Sequence, residues 1–185
     1  MLPQTYTLFF ATMSLLALSL TFLISVSNLF DKKDALKIQK IFNPLALEIA
    51  AGVAIFCTGG SLFLSDVLNF EPCFLCWIQR GFMYPAAFFL GLEAFSLNIR
   101  KKYIIKSKPY LAYFAGLLAT LGLPVAIFHR WEQAQGSNLS YCDAAVPCSA
   151  RWINEYGFIT IPTMAGIGFL TIITFVLVLR NDEKS

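Results

Sequence analysis

Apolar residues run along this chain in five long blocks, and most polar residues fall in the gaps between them. The blocks cover roughly Leu8 to Phe30, Leu45 to Leu68, Phe74 to Leu97, Tyr110 to Phe128 and Ile159 to Leu179. A helix needs about 20 mostly apolar residues to cross the hydrocarbon of a bilayer, and each block meets that length. The pattern therefore predicts five transmembrane helices, an odd number that leaves the termini on opposite sides. The connections are short, and no internal repeat or low-complexity tract appears, so one helical bundle uses nearly the whole chain. Separate soluble domains have no room.

Composition agrees with this reading. Hydrophobic residues make up 57% of the 185 residues and charged ones 14%, with a mean hydropathy of +0.66. That is far more apolar than a soluble domain of this length requires. The expected class is an all-α integral membrane protein.

Charge adds sidedness. Eleven of the 14 Lys and Arg residues follow spans one, three or five: Lys32, Lys33, Lys37 and Lys40, then Arg100, Lys101, Lys102, Lys106 and Lys108, then Arg180 and Lys184. Loops rich in Lys and Arg stay cytoplasmic. The opposite side receives Arg80, Arg130 and Arg151, together with the segments Ser65 to Pro72 and Arg130 to Gly157. The N-terminus is thus expected outside and the C-terminus in the cytoplasm, with the four loop cysteines facing outward. The cations flank spans and form no exposed stripe, which argues against nucleic-acid binding. The first block, although Ser25-Val26-Ser27 lies near its end, is expected to be retained and not cleaved as a signal peptide. It lacks a positive leading region and exceeds the usual apolar core of ~7 to 15 residues.

The cysteines carry the candidate chemistry. Cys73 and Cys76 form a C-x2-C pair at the mouth of the third block, Cys142 and Cys148 a C-x5-C pair in the outer segment, and Cys57 lies alone inside the second block. Two structural disulfides would suit an exported location. A zinc site drawn from all four loop cysteines is a second possibility, although C-x5-C is a loose spacing for it and neither pair contains a His. A thiol-exchange relay is the third and leading reading, because the long outer segment gives the second pair reach toward the first.

Pro72 suits the first turn of a helix, which would set Cys73 and Cys76 among the unpaired amides at its positive end and lower their thiol pKa values. On a helix, positions 73, 76 and 80 share one stripe. Arg80 inside a span costs on the order of 3 kcal/mol on insertion scales, which implies a ligand or counter-charge; simple snorkelling to lipid headgroups is the alternative.

The run Glu71-Pro72-Cys73-Phe74-Leu75-Cys76-Trp77-Ile78-Gln79-Arg80 resembles the signature that opens the second core helix of the DsbB family of bacterial disulfide bond formation proteins and its BdbC relatives. The likeness extends from about Pro44 to Leu179, through the cysteine-bearing outer loop and the segment Gly157-Phe158-Ile159-Thr160-Ile161-Pro162 that leads into the last span. It implies a four-helix transmembrane bundle of the DsbB type, residues 44–185, preceded by one extra helix and a basic cytoplasmic linker, residues 1–43. It further implies a quinone-dependent disulfide oxidoreductase of the bacterial cytoplasmic (inner) membrane. A thioredoxin-like, DsbA-type partner would give electrons to Cys142 and Cys148, these would exchange with Cys73 and Cys76, and a membrane quinone, ubiquinone or menaquinone, would accept them. By motif position Cys142 would take the mixed disulfide with the partner, Cys148 would exchange with Cys73, and Cys76 would face the quinone.

On this reading Arg80 donates to a quinone carbonyl, and His129, the sole histidine, is either an interfacial anchor or a proton source beside the quinone head. Trp77 reads as a belt aromatic, Tyr84 as a possible flat wall, and Cys57 as an inert buried thiol. Glu48 and Glu93 lie toward cytoplasmic span ends, where carboxylates are mostly solvated, and carry no expected role. Between Ala150 and Phe158, helical spacing predicts a short interfacial helix with Trp152, Ile153 and Tyr156 on one face. No metal is expected.

Two rival functions remain. A vitamin K epoxide reductase-like oxidoreductase would place its loop cysteines before the C-x-x-C, the reverse of the order here. A non-enzymatic membrane subunit would keep two inert structural bridges. The first block has no counterpart in the four-span family, and its purpose is open: it packs on the bundle, meets a partner, or sets topology.

Overall fold

A computed structural model describes residues 2–30, 32–103, 109–136, 142 and 146–182, with side-chain surroundings given for 4–26, 45–96, 109–136, 142 and 146–179. The helices are α1 (Leu2–Phe30), α2 (Lys32–Leu62), α3 (Phe74–Tyr103), α4 (Tyr110–Gln135) and α5 (Ile161–Asp182), and α2 runs on into a π-helical turn, Phe63–Val67. Among the described residues, four stretches are long and apolar enough to cross a membrane: Gln4–Val26, Leu45–Val67, Tyr110–Gln135 and Ile161–Leu179. The third expected span, α3, is not among them, since Gln79, Arg80 and Glu93 interrupt its apolar run. It belongs to the bundle through its packing, and those polar residues turn out to be engaged inside it.

Neighbouring helices alternate in direction. Cys73 and Gln79 at the start of α3 meet His129 near the end of α4, and Glu93 near the other end of α3 accepts a hydrogen bond from the Leu111 amide at the start of α4 (3.2 Å). Gly116 and Gly122 of α4 lie against Val176 and Phe169 of α5, an antiparallel register. A Cβ at Gly122 would stand 2.5 Å from the Phe169 ring, so this close approach needs glycine. The core combines small residues, Ala50 and Ala54 of α2 with Ala112, Ala115 and Ala119 of α4, and the fully buried rings Phe169 and Phe175 of α5. Small residues let apolar helices approach until van der Waals contact holds them, the main attraction available within lipid.

Helix α1 packs on the outside of this bundle, against α2 and α5. Tyr6 and Phe10 lie edge-on or tilted against Phe63, at 5.2 and 6.1 Å between ring centres. The buried hydroxyls of Thr21 and Thr171 are 3.0 Å apart, and Thr7 donates to Glu155 Oε1 at 2.8 Å.

The expected interfacial helix is absent. Glu155 and Ile159 exchange two backbone hydrogen bonds, of 3.0 and 2.9 Å, as an isolated antiparallel bridge. The turn between them holds Tyr156 at φ 53° and Gly157 at φ 77°, left-handed values that no α-helix contains. Ile153 is buried, while Trp152 and Tyr156 are exposed, so the three do not share one face.

Glu93 also departs from expectation. It is buried, not solvated, and its carboxylate serves the start of α4. Glu48 is exposed.

Candidate thiol redox site

Helix α3 begins at Phe74, and the Cys73 carbonyl accepts the Trp77 amide at 3.1 Å, which makes Cys73 the N-cap residue and places Cys76 in the first turn. Pro72 therefore sits ahead of the cap and not in the first turn as expected. Cys73 still holds the position that the expected chemistry needs, where unpaired amides and the helix dipole favour negative charge. The two sulfurs are 3.2 Å apart as free thiols. At the Cys73 sulfur, just outside the span, a hydrogen bond from Cys76 holds the pKa well below the ordinary thiol range; partial burial opposes the shift and His129 supports it.

His129 links the site together. It is buried on α4, with Nε2 3.6 Å from Cys73 Sγ and 3.1 Å from the carbonyl oxygen of Cys148. Its other nitrogen, Nδ1, lies 2.8 Å from Gln79 Nε2. A carbonyl can only accept, so Nε2 carries the hydrogen, and the neutral ring then accepts the Gln79 amide at Nδ1. This assignment satisfies every contact and aims an N–H at the Cys73 sulfur.

The outer loop reaches the same place. Cys142 and Cys148 are joined in a disulfide, and Cys148 is buried in a cluster with Cys73 and Leu75 that Cys76 and Cys142 flank. Gln133 of α4 donates to the Ala150 carbonyl (3.0 Å), and Arg151 donates back to the Gln133 carbonyl. These bonds hold the loop over the start of α3. Because the outer pair is bonded to itself, the four sulfurs do not form one zinc-binding set. Among the described residues, Cys73, Cys76 and His129 do bring three donor atoms within 4.8 Å of one another.

Arg80 reaches across to α2. Its Nε and one terminal nitrogen donate to the hydroxyl and carbonyl of Ser61 on α2 (3.0 and 3.1 Å), Tyr84 donates to the same hydroxyl (3.3 Å), and the guanidinium lies 5.1 Å from the Trp77 ring centre. Trp77 itself is exposed, as a belt residue would be. Cys73, Cys76, Arg80 and His129 all border one cavity of about 320 Å³ that extends between the helices as far as Cys57 and Gly52.

The structure thus gathers the six residues singled out in the sequence, Cys73, Cys76, Cys142, Cys148, Arg80 and His129, at one end of the bundle. Three participants were not anticipated: Gln79 as the partner of His129, Ser61 as the anchor of Arg80, and Gln133 as the tether of the loop. Polar side chains inside otherwise apolar spans were the available signal for Gln79 and Ser61.

Comparison with known proteins follows the same lines. The family model described as Disulfide bond formation protein DsbB matches residues 43–179. Disulfide bond formation protein C of Bacillus subtilis is 38% identical over 135 residues, covering 71% of this chain and 90% of its own length. Probable disulfide formation protein C 1 of Bacillus cereus is 36% identical over 139 residues, 74% of this chain and 93% of its own. The SPbeta prophage-derived disulfide bond formation protein B of Bacillus subtilis is 31% identical over 121 residues, 65% of this chain and 75% of its own. No solved structure gives a significant match.

Proposed function

Because the chain belongs to the DsbB family of disulfide bond formation proteins and is a membrane disulfide oxidoreductase, we propose that it reoxidises an exported thioredoxin-like, DsbA-type protein and delivers the electrons to a membrane quinone. One observation carries this reading. Two thiols at a helix start and the loop disulfide's Cys148 converge on a single buried imidazole, at the edge of an apolar cavity that also receives a guanidinium.

In the proposed relay a reduced partner attacks Cys142, and Cys148, whose carbonyl oxygen lies 3.1 Å from the imidazole, leaves as a thiolate. Completion of that exchange oxidises the partner's dithiol and reduces the outer pair. The outer dithiol then reduces a Cys73–Cys76 disulfide through a Cys148–Cys73 intermediate, so two electrons move inward, and that disulfide is the oxidant consumed until the two-electron acceptor restores it. His129 steadies whichever sulfur leaves, and Gln79 fixes its tautomer.

A bound quinone supplies the two-electron acceptor. The cavity suits such a molecule: its volume lies in the range of small-molecule sites, its deeper lining is aliphatic and aromatic, and Arg80, Tyr84 and His129 bring donors to the thiol end. Arg80 and His129 are the residues proposed to hold the head group. On charge distribution this end of the bundle faces outward and the C-terminus lies in the cytoplasm.

Purified protein, given a reduced thioredoxin-like substrate and a soluble quinone, is expected to catalyse quinone reduction, and Cys76→Ser to abolish it. Undiminished turnover in that variant rules the proposal out. If the Cys142–Cys148 bridge resists reduction and quinone has no effect, the non-enzymatic alternative holds.

A further inference from the structure

Helix α1 lies outside the region that the family model matches, which begins at residue 43. It nevertheless contributes Phe10, Met13, Ser14 and Ala17 to the boundary of the cavity that holds Cys76 and Arg80. These positions are spaced i, i+3, i+4 and i+7, one continuous face of the helix. Along α2 the same cavity is bordered from Ser61 to Gly52, about 14 Å at ~1.5 Å per residue, so α1 covers much of its length.

The fit of α1 to this edge is close. A Cβ at Gly60 would stand 2.9 Å from the Phe10 ring, so α2 admits that ring only because it carries glycine there. Phe10 also packs against Phe56, at 5.5 Å between centres. Polar ties hold the helix at both ends of the face: Thr21 to Thr171 (3.0 Å) on α5, and Thr7 to Glu155 (2.8 Å) in the segment that follows Cys148. Hydroxyls buried toward lipid gain from such partners. Thr7 is buried although Leu8 and Phe9 beside it are exposed, so the tie is directional.

We propose that α1 forms the lipid-side wall of the acceptor site, and that Phe10, Met13, Ser14 and Ala17 set the affinity for the lipophilic acceptor without taking part in thiol exchange. This rests on the reading of the cavity as a quinone site. The acceptor recognised at this wall is an isoprenoid or alkyl-tailed quinone, since the face is apolar apart from one hydroxyl. With the wall in place the acceptor lies between helices; without it the cavity would open toward lipid along α2 and α5.

The test compares Ala17→Phe, which fills the cavity from its α1 side, with Leu16→Phe, which adds the same ring on the exposed side. Two quantities are measured: the KM for a soluble short-tailed quinone, and the stoichiometric oxidation of a reduced thioredoxin-like substrate without quinone. Ala17→Phe should raise KM at least about tenfold, the scale on which an apolar pocket responds to a change in fit, and leave stoichiometric oxidation intact. Leu16→Phe should change neither. Should Ala17→Phe fail to fold, Met13→Ala removes wall instead of adding bulk and should raise KM about threefold, a smaller loss of apolar contact. An unchanged KM in the folded cavity variants, or an equal change in Leu16→Phe, overturns the assignment of α1. Quinone reduction that survives Cys76→Ser overturns the underlying reading instead, so the two failures are distinct.

Discussion

At the scale of single residues the site depends on how one imidazole is held. Gln79 accounts for its tautomer, Cys148 for its aim, and Cys73 for its use. The depressed Cys73 pKa has a definite sign: the thiolate is present above the depressed value and is lost only as pH falls through it. Alkylation of the reduced protein at Cys73 should therefore stay near its plateau well below pH 8, where an ordinary thiol with pKa near ~8.5 loses reactivity tenfold per unit. A profile that falls in the ordinary range contradicts the geometry. Gln79→Leu removes the partner that Nδ1 has among the described residues and frees the ring to change tautomer. It should slow exchange between the two pairs by about tenfold, the cost of one buried hydrogen bond, while leaving the quinone KM unchanged. Stopped-flow measurement of partner oxidation reads this directly. None of this pairing was legible in the sequence. Gln79 and His129 are 50 positions apart, and only the packing of α3 on α4 brings them together. Cys73, Cys76 and Arg80 were legible because one helix start fixes their relation locally.

Single elements were legible where hydropathy runs long and illegible where it does not. The apolar blocks located α1, α2, α4 and α5, although α2 begins at Lys32, well before its block at Leu45, and α4 runs past Phe128 to Gln135. Over Ala150 to Phe158 a helical period had nine residues to establish itself, and two left-handed residues at Tyr156 and Gly157 overrode it. Glu93 was misjudged because its depth within α3 depends on where α4 begins, and the Leu111 amide that it accepts belongs to another element. The contact between α4 and α5 can be tested by substitution. At Gly122 an added Cβ meets the Phe169 ring, while at Gly52 it meets nothing within 4 Å. Gly122→Ala should then destabilise the protein by about 1 to 3 kcal/mol, the usual range for overpacking, and Gly52→Ala should not. Thermal unfolding in detergent distinguishes them; equal melting temperatures contradict the described packing.

For the whole molecule, alternating helix direction brings the start of α3, the end of α4 and the loop before α5 to one end, which is why two cysteine pairs distant in sequence become neighbours. In sequence, eleven of the 14 basic residues follow the first, third or fifth apolar block, away from the cysteine pairs. Impermeant maleimide applied to intact cells should therefore label reduced Cys142, and cysteines introduced after Arg180 should stay unlabelled until the membrane is opened; the reverse pattern contradicts the proposed orientation. The two pairs matter only if electrons pass between them and leave through the cavity. The most direct measurement maps the redox state of all four sulfurs by alkylation and mass spectrometry after excess reduced thioredoxin-like substrate is added, first without and then with a soluble quinone. The account predicts that Cys73 and Cys76 become reduced along with Cys142 and Cys148 in the absence of quinone, and return to the disulfide when it is supplied. A Cys73–Cys76 pair whose state ignores the quinone would contradict it.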